Sequence, residues 1–250
     1  MPDASQNQGI KCYYHAILEP EERVIQGQLD LLSQVVAQMA ATIQRDQRIF
    51  LFGTGHSHLI AEEAFYRAGG LATATPIFST LVMLHENPSL ASHLERTPDL
   101  AALLLNPYNP QPGELIFVIS NSGVNQLPIQ MALLAKERGL FVVSISSHEY
   151  ARIAPLSGLG KRLDEVADIC LDTGLPPGDA LAPLEQSDWR VGPGSTILVA
   201  LIWNCLVVET AFRLQAAGQT PPVFISLNMP GAAEHNQALL KHWHKVNPHL

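Results

Sequence analysis

The chain has 250 residues, which is enough for one large α/β domain with a buried core and too few for three domains. It carries 15 lysines and arginines against 23 aspartates and glutamates, and the formal charge of -8 argues against a nucleic-acid partner held mainly through phosphate contacts. The most apolar run, residues 197–208, is shorter than a bilayer requires and contains Asn204, so we expect no membrane-spanning segment.

A long amphipathic helix is predicted near the start of the chain, after the polar residues 1–10. Between residues 19 and 45, apolar side chains recur at alternating steps of three and four, and Pro20 suits a first helical turn. Val24 and Leu31 widen the apolar stripe. The helix is therefore expected to pack either on a single core face or on two surfaces, its own sheet and a partner subunit.

Two βα units follow one plan. In each, an apolar strand leads into a loop of glycine and small polar residues, and the next helix ends at a glycine. The strands are 48–52 and 115–119, and the helices are 58–68 and 126–138. Strands that are apolar throughout and alternate with helices imply a parallel sheet covered on both faces, with ligands bound at the carboxyl ends of the strands.

The remaining strands are predicted at 71–78, 140–145 and 167–171. An insertion at 79–112 is expected to be partly helical and to cover a site, as insertions at this edge of a sheet commonly do. Segment 172–194 contains four prolines and is predicted to be a long connection and a candidate lid. Ser195 or Thr196 then begins a helix that ends near Ala217 and is apolar nearly all round, which is typical of a helix buried between layers or subunits.

The loop after strand 115–119 is a candidate anion site. It contains, in order, Ser120, Asn121, Ser122, Gly123, Val124 and Asn125. A phosphate or carboxylate placed there would meet backbone N–H donors, hydroxyls and the positive end of the next helix. No lysine or arginine lies in the loop, so recognition would depend on neutral donors. The alternative interpretation is a Ser-Gly turn that binds nothing.

The loop after the first strand combines glycine with histidines and hydroxyls. It contains, in order, Gly53, Thr54, Gly55, His56, Ser57 and His58. The third glycine of a dinucleotide fingerprint is missing, and so is the Gly-Lys-Ser/Thr of a P-loop. We therefore interpret His56 and His58 as functional. On the next helix His58 and Glu62 share a face whereas Glu63 points elsewhere, so one glutamate is expected to face the site and the other to form a salt bridge.

His85 and Glu86, adjacent in the insertion, are a third candidate acid–base pair, although this dipeptide is also common on protein surfaces. Asp179 is a weaker candidate. The three cysteines are far apart in the sequence and are Cys12, Cys170 and Cys205. Their spacing indicates neither a disulfide framework nor a thiolate zinc site, and there is no H-E-x-x-H motif. No cofactor is required, a divalent metal is permitted, and a cytoplasmic location is expected.

These stretches together resemble the SIS (sugar isomerase) domain family, in which a G-[ST]-G-x-S loop and an S-x-S-G loop bind phosphosugars. The resemblance is carried by FGTGHSHLIAEEAFYRAGG and VISNSGVNQLPIQMALLAKERG. With SGLGKRLDEVADICLDTG, PPGDA and PPVFISLN, the chain is similar to the UPF0309 subgroup, whose members are called phosphosugar or phosphoheptose isomerases by similarity.

The resemblance implies a three-layer αβα fold with a five-stranded parallel sheet in flavodoxin-like strand order. It implies a single domain over 1–250, with an N-terminal helix, the 79–112 insertion and a C-terminal extension, assembled as a homodimer or homotetramer. It also implies that Ser57, Ser120 and Ser122 contact phosphate or sugar, while Asn125 stands where relatives usually have threonine.

The chain departs from phosphoheptose isomerases at the residues that hold zinc and move protons in those enzymes. Their first helix carries a histidine and a glutamate where this chain has Glu63 and Arg67, and Asn204 stands near their late histidine. The loops thus imply phosphosugar binding, while these residues do not reproduce the zinc-dependent reaction.

Three functions are therefore open. The first is an aldose–ketose sugar-phosphate isomerase that acts through an enediol, with Glu63 or Glu86 as the base and His56, His58 or His85 as the hydrogen-bond donor or ring-opener. The second is a lyase resembling the N-acetylmuramic acid 6-phosphate etherases. The third is a non-catalytic sugar-phosphate sensor.

Overall fold

Five parallel strands form the centre of the structure, a computed structural model that describes residues 7–250. In chain order they are β1 (Ile49–Gly53), β2 (Ala74–Pro76), β3 (Leu115–Ile119), β4 (Phe141–Ser146) and β5 (Ile169–Asp172). They pair in the order β2-β1-β3-β4-β5, the flavodoxin-like order that the resemblance implies. Gly53 lies opposite Ile119 in the register of β1 and β3, so the loops after these two strands leave the sheet side by side.

Helices cover both faces of this sheet. They are α1 (Gln8–Gln26), α2 (Leu29–Gln44), α3 (His58–Ala64), α4 (Pro88–Leu94), α5 (Leu100–Leu105), α6 (Gln126–Glu137), α7 (His148–Ile153), α8 (Ser195–Ala216) and α9 (Ala232–Trp243). Alternate residues of β1 enter opposite cores, Ile49 and Leu51 with α2, α3 and α8, and Phe50 and Phe52 with α5 and α6. The predicted three-layer αβα fold with a parallel sheet is confirmed.

The predicted single helix over residues 19–45 is wrong, because the structure has two helices, α1 and α2, that break at Gly27 and Gln28. The Gln28 amide donates to the Asp172 carbonyl at 2.8 Å and accepts from the Asp172 N–H at 3.0 Å. This side chain therefore pairs with the end of β5 as a strand backbone would. The break depends on a contact distant in sequence, which local periodicity does not report.

Segment 172–194 contains a β-hairpin, so the prediction that it holds no regular element is wrong. Strands β6 (Ala180–Pro183) and β7 (Arg190–Pro193) are antiparallel. The hairpin packs on α1, where Leu181 and Ile17 belong to one small apolar cluster. The Tyr13 hydroxyl of α1 also donates to the Pro193 carbonyl at 2.6 Å. Its prolines stand at the strand ends, where a missing N–H costs little.

Other bounds differ in length. Strand 71–78 is reduced to β2, and Leu71 forms an isolated antiparallel bridge with Val223 instead. Helix 58–68 ends at Ala64, since Phe65 is extended. The insertion is partly helical as predicted, with α4 and α5, whereas α9 was not predicted.

Helix α8 is long and apolar enough, by length and composition, to cross a membrane, although 44% of its most apolar window is buried inside the structure. On the buried side, Trp203 packs edge-on against Phe117 of β3, with ring centroids 5.3 Å apart. On the other side, Val208 and Phe212 are exposed. The helix is thus a core element on one face and an apolar surface on the other.

Candidate functional site

The loops after β1 and β3 meet the start of α8 at the carboxyl end of the sheet. A small cavity lies between them, lined by His56, Ser57, Ile60, Ile119, Asn121, Ser195, Thr196 and Val199. Ligands of open α/β sheets bind where neighbouring strands send their connections to opposite sides, and β1 and β3 form that position in this strand order. The predicted meeting of the two loops is therefore observed.

The first loop folds back on itself at Gly53. A Cβ on Gly53 would lie within 2.5 Å of the Ser57 carbonyl, so only glycine permits this approach. Gly55 has a φ of 56°, and a short turn over Gly55–Ser57 leads into α3. The loop thereby brings Ser57 and the exposed His56 to the cavity.

His58 is buried behind the first loop rather than in a cavity lining. Its Nδ1 is hydrogen-bonded to the Gly55 carbonyl, so Nδ1 carries the proton and Nε2 faces Glu62 Oε1 at 3.5 Å. Glu63 forms an ion pair with Arg67 on the outer side of α3. The salt bridge is observed at Glu63, whereas Glu62 lies beside His58 and, like it, does not line the small cavity.

The second loop leaves polar groups without partners. Among residues 7–250, the buried Oδ1 of Asn121 has no hydrogen-bond partner, and the Asn125 side chain does not cap α6 although Asn125 stands at the capping position. Gly123, with a φ of 62°, donates its N–H to the Ser120 carbonyl at 3.1 Å and closes the turn. The turn is therefore built by its backbone, which leaves side-chain groups available to a ligand.

A second, larger cavity of about 470 Å³ opens beside this loop. Its polar lining consists of residues from the loop and α6, from α7 and the segment after it, and from the insertion: Ser122, Asn125, Gln126, Tyr150, Ser157 and Arg96. The sequence predicted recognition by neutral donors alone, because no cation lies within the loop. The structure adds a cation from outside the loop to this lining, since Arg96 lies at the cavity with its Nη1 donating to the Ser92 carbonyl.

Glu95, also missed from the sequence, connects the insertion to both loops. Its carboxylate accepts a hydrogen bond from the Thr54 hydroxyl in the first loop. Its carbonyl accepts from the Leu127 N–H, at the start of α6 after the second loop, at 3.0 Å. The predicted covering role of the insertion indicated this region, but no sequence pattern singled out Glu95 or Arg96.

The other candidates line neither of the two cavities. The His85 ring centroid is 6.4 Å from that of His58, while both His85 and Glu86 are exposed and line neither cavity. Asp179 accepts hydrogen bonds from the Ser195 N–H and hydroxyl at 2.8 and 2.7 Å, and from the Gly194 N–H at 3.1 Å. Asp179 therefore caps α8.

The zinc residues of phosphoheptose isomerases have no equivalent group within residues 7–250. Glu63 is paired with Arg67, and exposed Asn204 donates to the Ala200 carbonyl at 3.0 Å. Over the same described residues, the structure contains no group of three or more His, Cys, Asp or Glu side chains placed to hold a metal ion. The residues at these positions do not fit that zinc site.

Comparison with known sequences gives matches over most of the chain. The sequence model of the SIS domain matches residues 12–147. A UPF0309 protein of Brucella anthropi is 40% identical over 212 residues, covering 85% of this chain and 86% of the relative. A UPF0309 protein of Listeria innocua is 39% identical over 242 residues, covering 96% and 98%.

Solved structures share the fold at low sequence identity. The c3406 protein of E. coli CFT073, solved in complex with a phosphosugar, superposes with a TM-score of 0.54 at 14% identity, covering 86% of this chain and 94% of that one. The sugar isomerase domain of an RpiR transcription factor from Sphaerobacter thermophilus gives 0.53 at 15%, covering 96% and 99%. A phosphoheptose isomerase from Francisella tularensis gives 0.52 at 12%, covering 80% and 95%.

Proposed function

The chain belongs to the SIS domain family and to its UPF0309 group, and from that membership we propose that it binds a sugar phosphate at the loops after β1 and β3. One observation carries the proposal. At the carboxyl end of β3, the Asn121 Oδ1 is buried without a hydrogen-bond partner within residues 7–250, and the Asn125 side chain does not cap α6. Polar groups left unpaired at a cavity are available to a polar ligand.

The phosphate would bind at the start of α6. At the start of α6 the Leu127 N–H already donates to the Glu95 carbonyl, and Pro128 has no N–H. The donors left to an anion there are the Gln126 N–H and the Ser122 and Asn125 side chains, at the positive end of the helix. Two solved neighbours in this fold are described with phosphosugar chemistry, the c3406 complex and a phosphoheptose isomerase. The sugar would extend toward the first loop, where Ser57 and His56 line the adjoining small cavity.

Aldose–ketose isomerisation is the reaction we propose for this site. An enediol mechanism needs one group to move a proton between neighbouring carbons and donors at the two sugar oxygens. Of the five predicted acid–base residues, only His56 lines either of the two cavities described above, and we assign it the proton transfer. His58 and Glu62 lie behind it, and Glu95 supplies a carboxylate bonded to Thr54 in the same loop.

A sugar-phosphate sensor is the second candidate, for a specific reason. The carboxylates predicted as bases, Glu63 and Glu86, line neither cavity, and Glu63 is already paired with Arg67. A site with donors but without a carboxylate base in its described lining could bind without turnover. The fold is also shared by the sugar isomerase domain of a transcription factor.

A ligand panel separates these candidates. The purified chain would be heated with aldose and ketose phosphates of five to seven carbons, with the matching unphosphorylated sugars as controls. A ligand at about 100 times its Kd should add roughly 2.7 kcal/mol to the free energy of unfolding. If no phosphorylated sugar raises the melting temperature above its control, the proposed function is wrong.

Turnover is then measured on the ligands that stabilise the chain. In heavy water, an enediol isomerase exchanges the proton on the aldose carbon next to the carbonyl while it forms the ketose, and NMR detects both changes. His56→Gln should abolish exchange and retain the thermal shift. Binding without exchange in the wild type would favour the sensor, and lactate release from N-acetylmuramic acid 6-phosphate would favour a lyase.

We also propose that the chain forms a homodimer through α8. We propose a cytoplasmic location as well, because the three free cysteines would stay reduced there. An apolar groove of about 640 Å³ runs between α2 and α8, and Phe212 and Val208 are exposed along it. Glu209 and Arg213 form an ion pair at its rim. Val36 of α2 also lines the groove but is almost fully buried in the core. Phe212→Glu should give a monomeric mass by light scattering, and an unchanged dimer would exclude this face.

A further inference from the structure

We propose that Arg96 is the residue that recognises the doubly charged phosphate, which makes the insertion part of the binding site. This inference rests on the proposed function and names a residue that determines its specificity. Arg96 follows α4, whereas the predicted phosphate loop follows β3. The two meet only in the folded chain, at the 470 Å³ cavity.

The position of Arg96 is fixed by its neighbour in sequence. Glu95 accepts the Leu127 N–H at 3.0 Å through its carbonyl, and the Thr54 hydroxyl through its carboxylate. The Arg96 N–H itself donates to the His93 carbonyl at 3.0 Å. The backbone at residues 95–96 is therefore held against both loops. The Arg96 side chain is exposed and lines the cavity, and its Nη1 donates to the Ser92 carbonyl. Within residues 7–250 its guanidinium makes no other hydrogen bond, so the remaining N–H groups can reach a ligand.

The charge of the cavity lining favours an anion. Among residues 7–250, Arg96 is the only charged residue that lines it, and the other polar members are Ser122, Asn125, Gln126, Tyr150 and Ser157. The whole chain carries a formal charge of -8, so a cavity lining with one positive and no negative side chain is opposite in charge to the chain as a whole. Local reversal of charge at a cavity is what an anionic ligand requires.

Phosphate chemistry explains why an arginine would matter here. A phosphate monoester carries about -1.5 to -2 charges at pH 7, because its second pKa is near 6. The planar guanidinium can donate two parallel hydrogen bonds to phosphate oxygens and stays protonated at any relevant pH. Neutral donors of the second loop can bind either ionic form, whereas Arg96 adds preference for the dianion.

The test compares Arg96→Ala and Arg96→Lys with the control Arg152→Ala. Arg152 lies on α7 between lining residues Tyr150 and Ala154 and is exposed, but it does not line the cavity. The probes are inorganic phosphate and fructose 6-phosphate, titrated by calorimetry at pH 5 and pH 8, with fructose as the uncharged control. Melting temperatures without ligand verify that each variant is folded.

We expect Arg96→Ala to raise the Kd of both phosphates at pH 8 by about 10- to 100-fold, in line with loss of a charge-assisted hydrogen bond. The ratio of Kd at pH 5 to Kd at pH 8 should fall toward one in Arg96→Ala, and Arg96→Lys should be intermediate. Arg152→Ala should stay within about two-fold, because an exposed charge away from the ligand is screened.

Three results overturn the inference in distinguishable ways. If the wild type binds both phosphates and Arg96→Ala binds them equally well, Arg96 has no role and the proposed function stands. If Arg152→Ala weakens binding as much as Arg96→Ala, a general field and not Arg96 recognises the anion. If the wild type binds neither these phosphates nor any sugar phosphate of the panel, the proposed function fails and this inference fails with it.

Discussion

Arg48 and Glu114 are buried at the amino ends of β1 and β3, and every donor of the Arg48 guanidinium is used. At the carboxyl ends of the same strands, by contrast, Asn121 keeps a buried oxygen without a partner in residues 7–250. Arg48 donates to both Glu114 oxygens at 2.6 and 2.9 Å. Its other N–H groups donate to the carbonyls of Tyr108, Asn109 and Val246 at 2.8, 3.1 and 2.8 Å.

The difference separates polar residues that build the fold from those available to a ligand. A buried charge that satisfies all its hydrogen bonds inside the chain has nothing left to offer a substrate. An unpaired buried acceptor is costly unless a ligand or water completes it. Saturation of hydrogen bonds, rather than polarity, therefore distinguishes the Arg48–Glu114 pair at one end of β1 and β3 from Asn121 at the other.

The largest expected effect comes from breaking the saturated end. Arg48→Met should lower the free energy of unfolding by about 3–5 kcal/mol, because it leaves the buried Glu114 carboxylate without its cation. Urea denaturation measures this change. Ligand binding at the carboxyl end should be unaffected at temperatures where the variant is folded.

The control is the double variant Arg48→Met with Glu114→Leu. Removing both charges should restore part of the stability, since no unpaired buried charge remains at this position. If the single variant costs less than about 1 kcal/mol, the pair behaves as an exposed salt bridge, and the comparison of the two ends fails.

Asp179 lies near the candidate site, yet its carboxylate already accepts hydrogen bonds from within the chain, as Glu114 does at the other end of the sheet. Asp179→Ala should cost about 1–2 kcal/mol, as expected for a lost helix cap, since the Ser195 N–H and hydroxyl lose their acceptor and the Gly194 N–H keeps only the backbone carbonyl of residue 179. Asp188→Ala, an exposed aspartate in the same hairpin, is the matched control. Equal stability of the two variants would remove the capping role.

Asn121 should show the reverse behaviour. Asn121→Ala should change the free energy of unfolding by less than about 0.5 kcal/mol, because its Oδ1 makes no hydrogen bond within residues 7–250, while the Kd for fructose 6-phosphate should rise about 3- to 10-fold. Parallel denaturation and calorimetry measure the two effects. A loss of stability without a loss of affinity would assign Asn121 to the fold.

His249 gives the smallest effect, on the dependence of stability on pH. Packing against the rings of Phe65, Phe78 and Tyr108 removes part of the imidazole from water and lowers its pKa below the ordinary 6.5, while a hydrogen bond to the Pro76 backbone opposes this shift. The neutral ring suits the 2.8 Å contact between its Nε2 and the Tyr108 hydroxyl, whose own pKa is raised by burial.

The lowered pKa of His249 determines whether the free energy of unfolding rises or falls with pH. Above pH 6.5 both the folded and unfolded chains hold a neutral His249, and the contribution to stability is fully present. As pH falls below 6.5, His249 takes up a proton in the unfolded chain before it does so in the folded chain. The contribution to stability is therefore lost progressively as pH falls through 6.5 to the lower pKa of the folded state. His249→Gln should reduce that loss in denaturation at pH 5 against pH 8. An NMR titration giving a pKa above 6.5 would contradict it.

The sequence predicted the sheet well because buried parallel strands are local apolar runs. Strand β3 matches its predicted bounds, 115–119, and the strand order follows from the family resemblance. Glycines and hydroxyls after β1 and β3 also marked the two loops correctly, since a tight turn at a strand end requires these residue types. Each of these signals lies within a few neighbouring residues.

The missed features all depend on pairs that are distant in sequence. Arg48 and Glu114 are 66 positions apart, and Gln28 and Asp172 are 144 apart. Arg96 enters the larger cavity because Glu95 bonds to Thr54 and Leu127, which no periodicity encodes. Local pattern indicates which faces are buried, but not which polar side chains meet across the fold.

The contact between Arg48 and Val246 also bears on the order of folding. It joins residues 198 positions apart, so its loop closes later than the local contacts of β1 and β3. Before that closure, the guanidinium can reach Glu114, Tyr108 and Asn109 but has one N–H still in water. We therefore expect a chain that is still being synthesised to form its sheet first and to complete this arginine site only when α9 and Val246 have emerged.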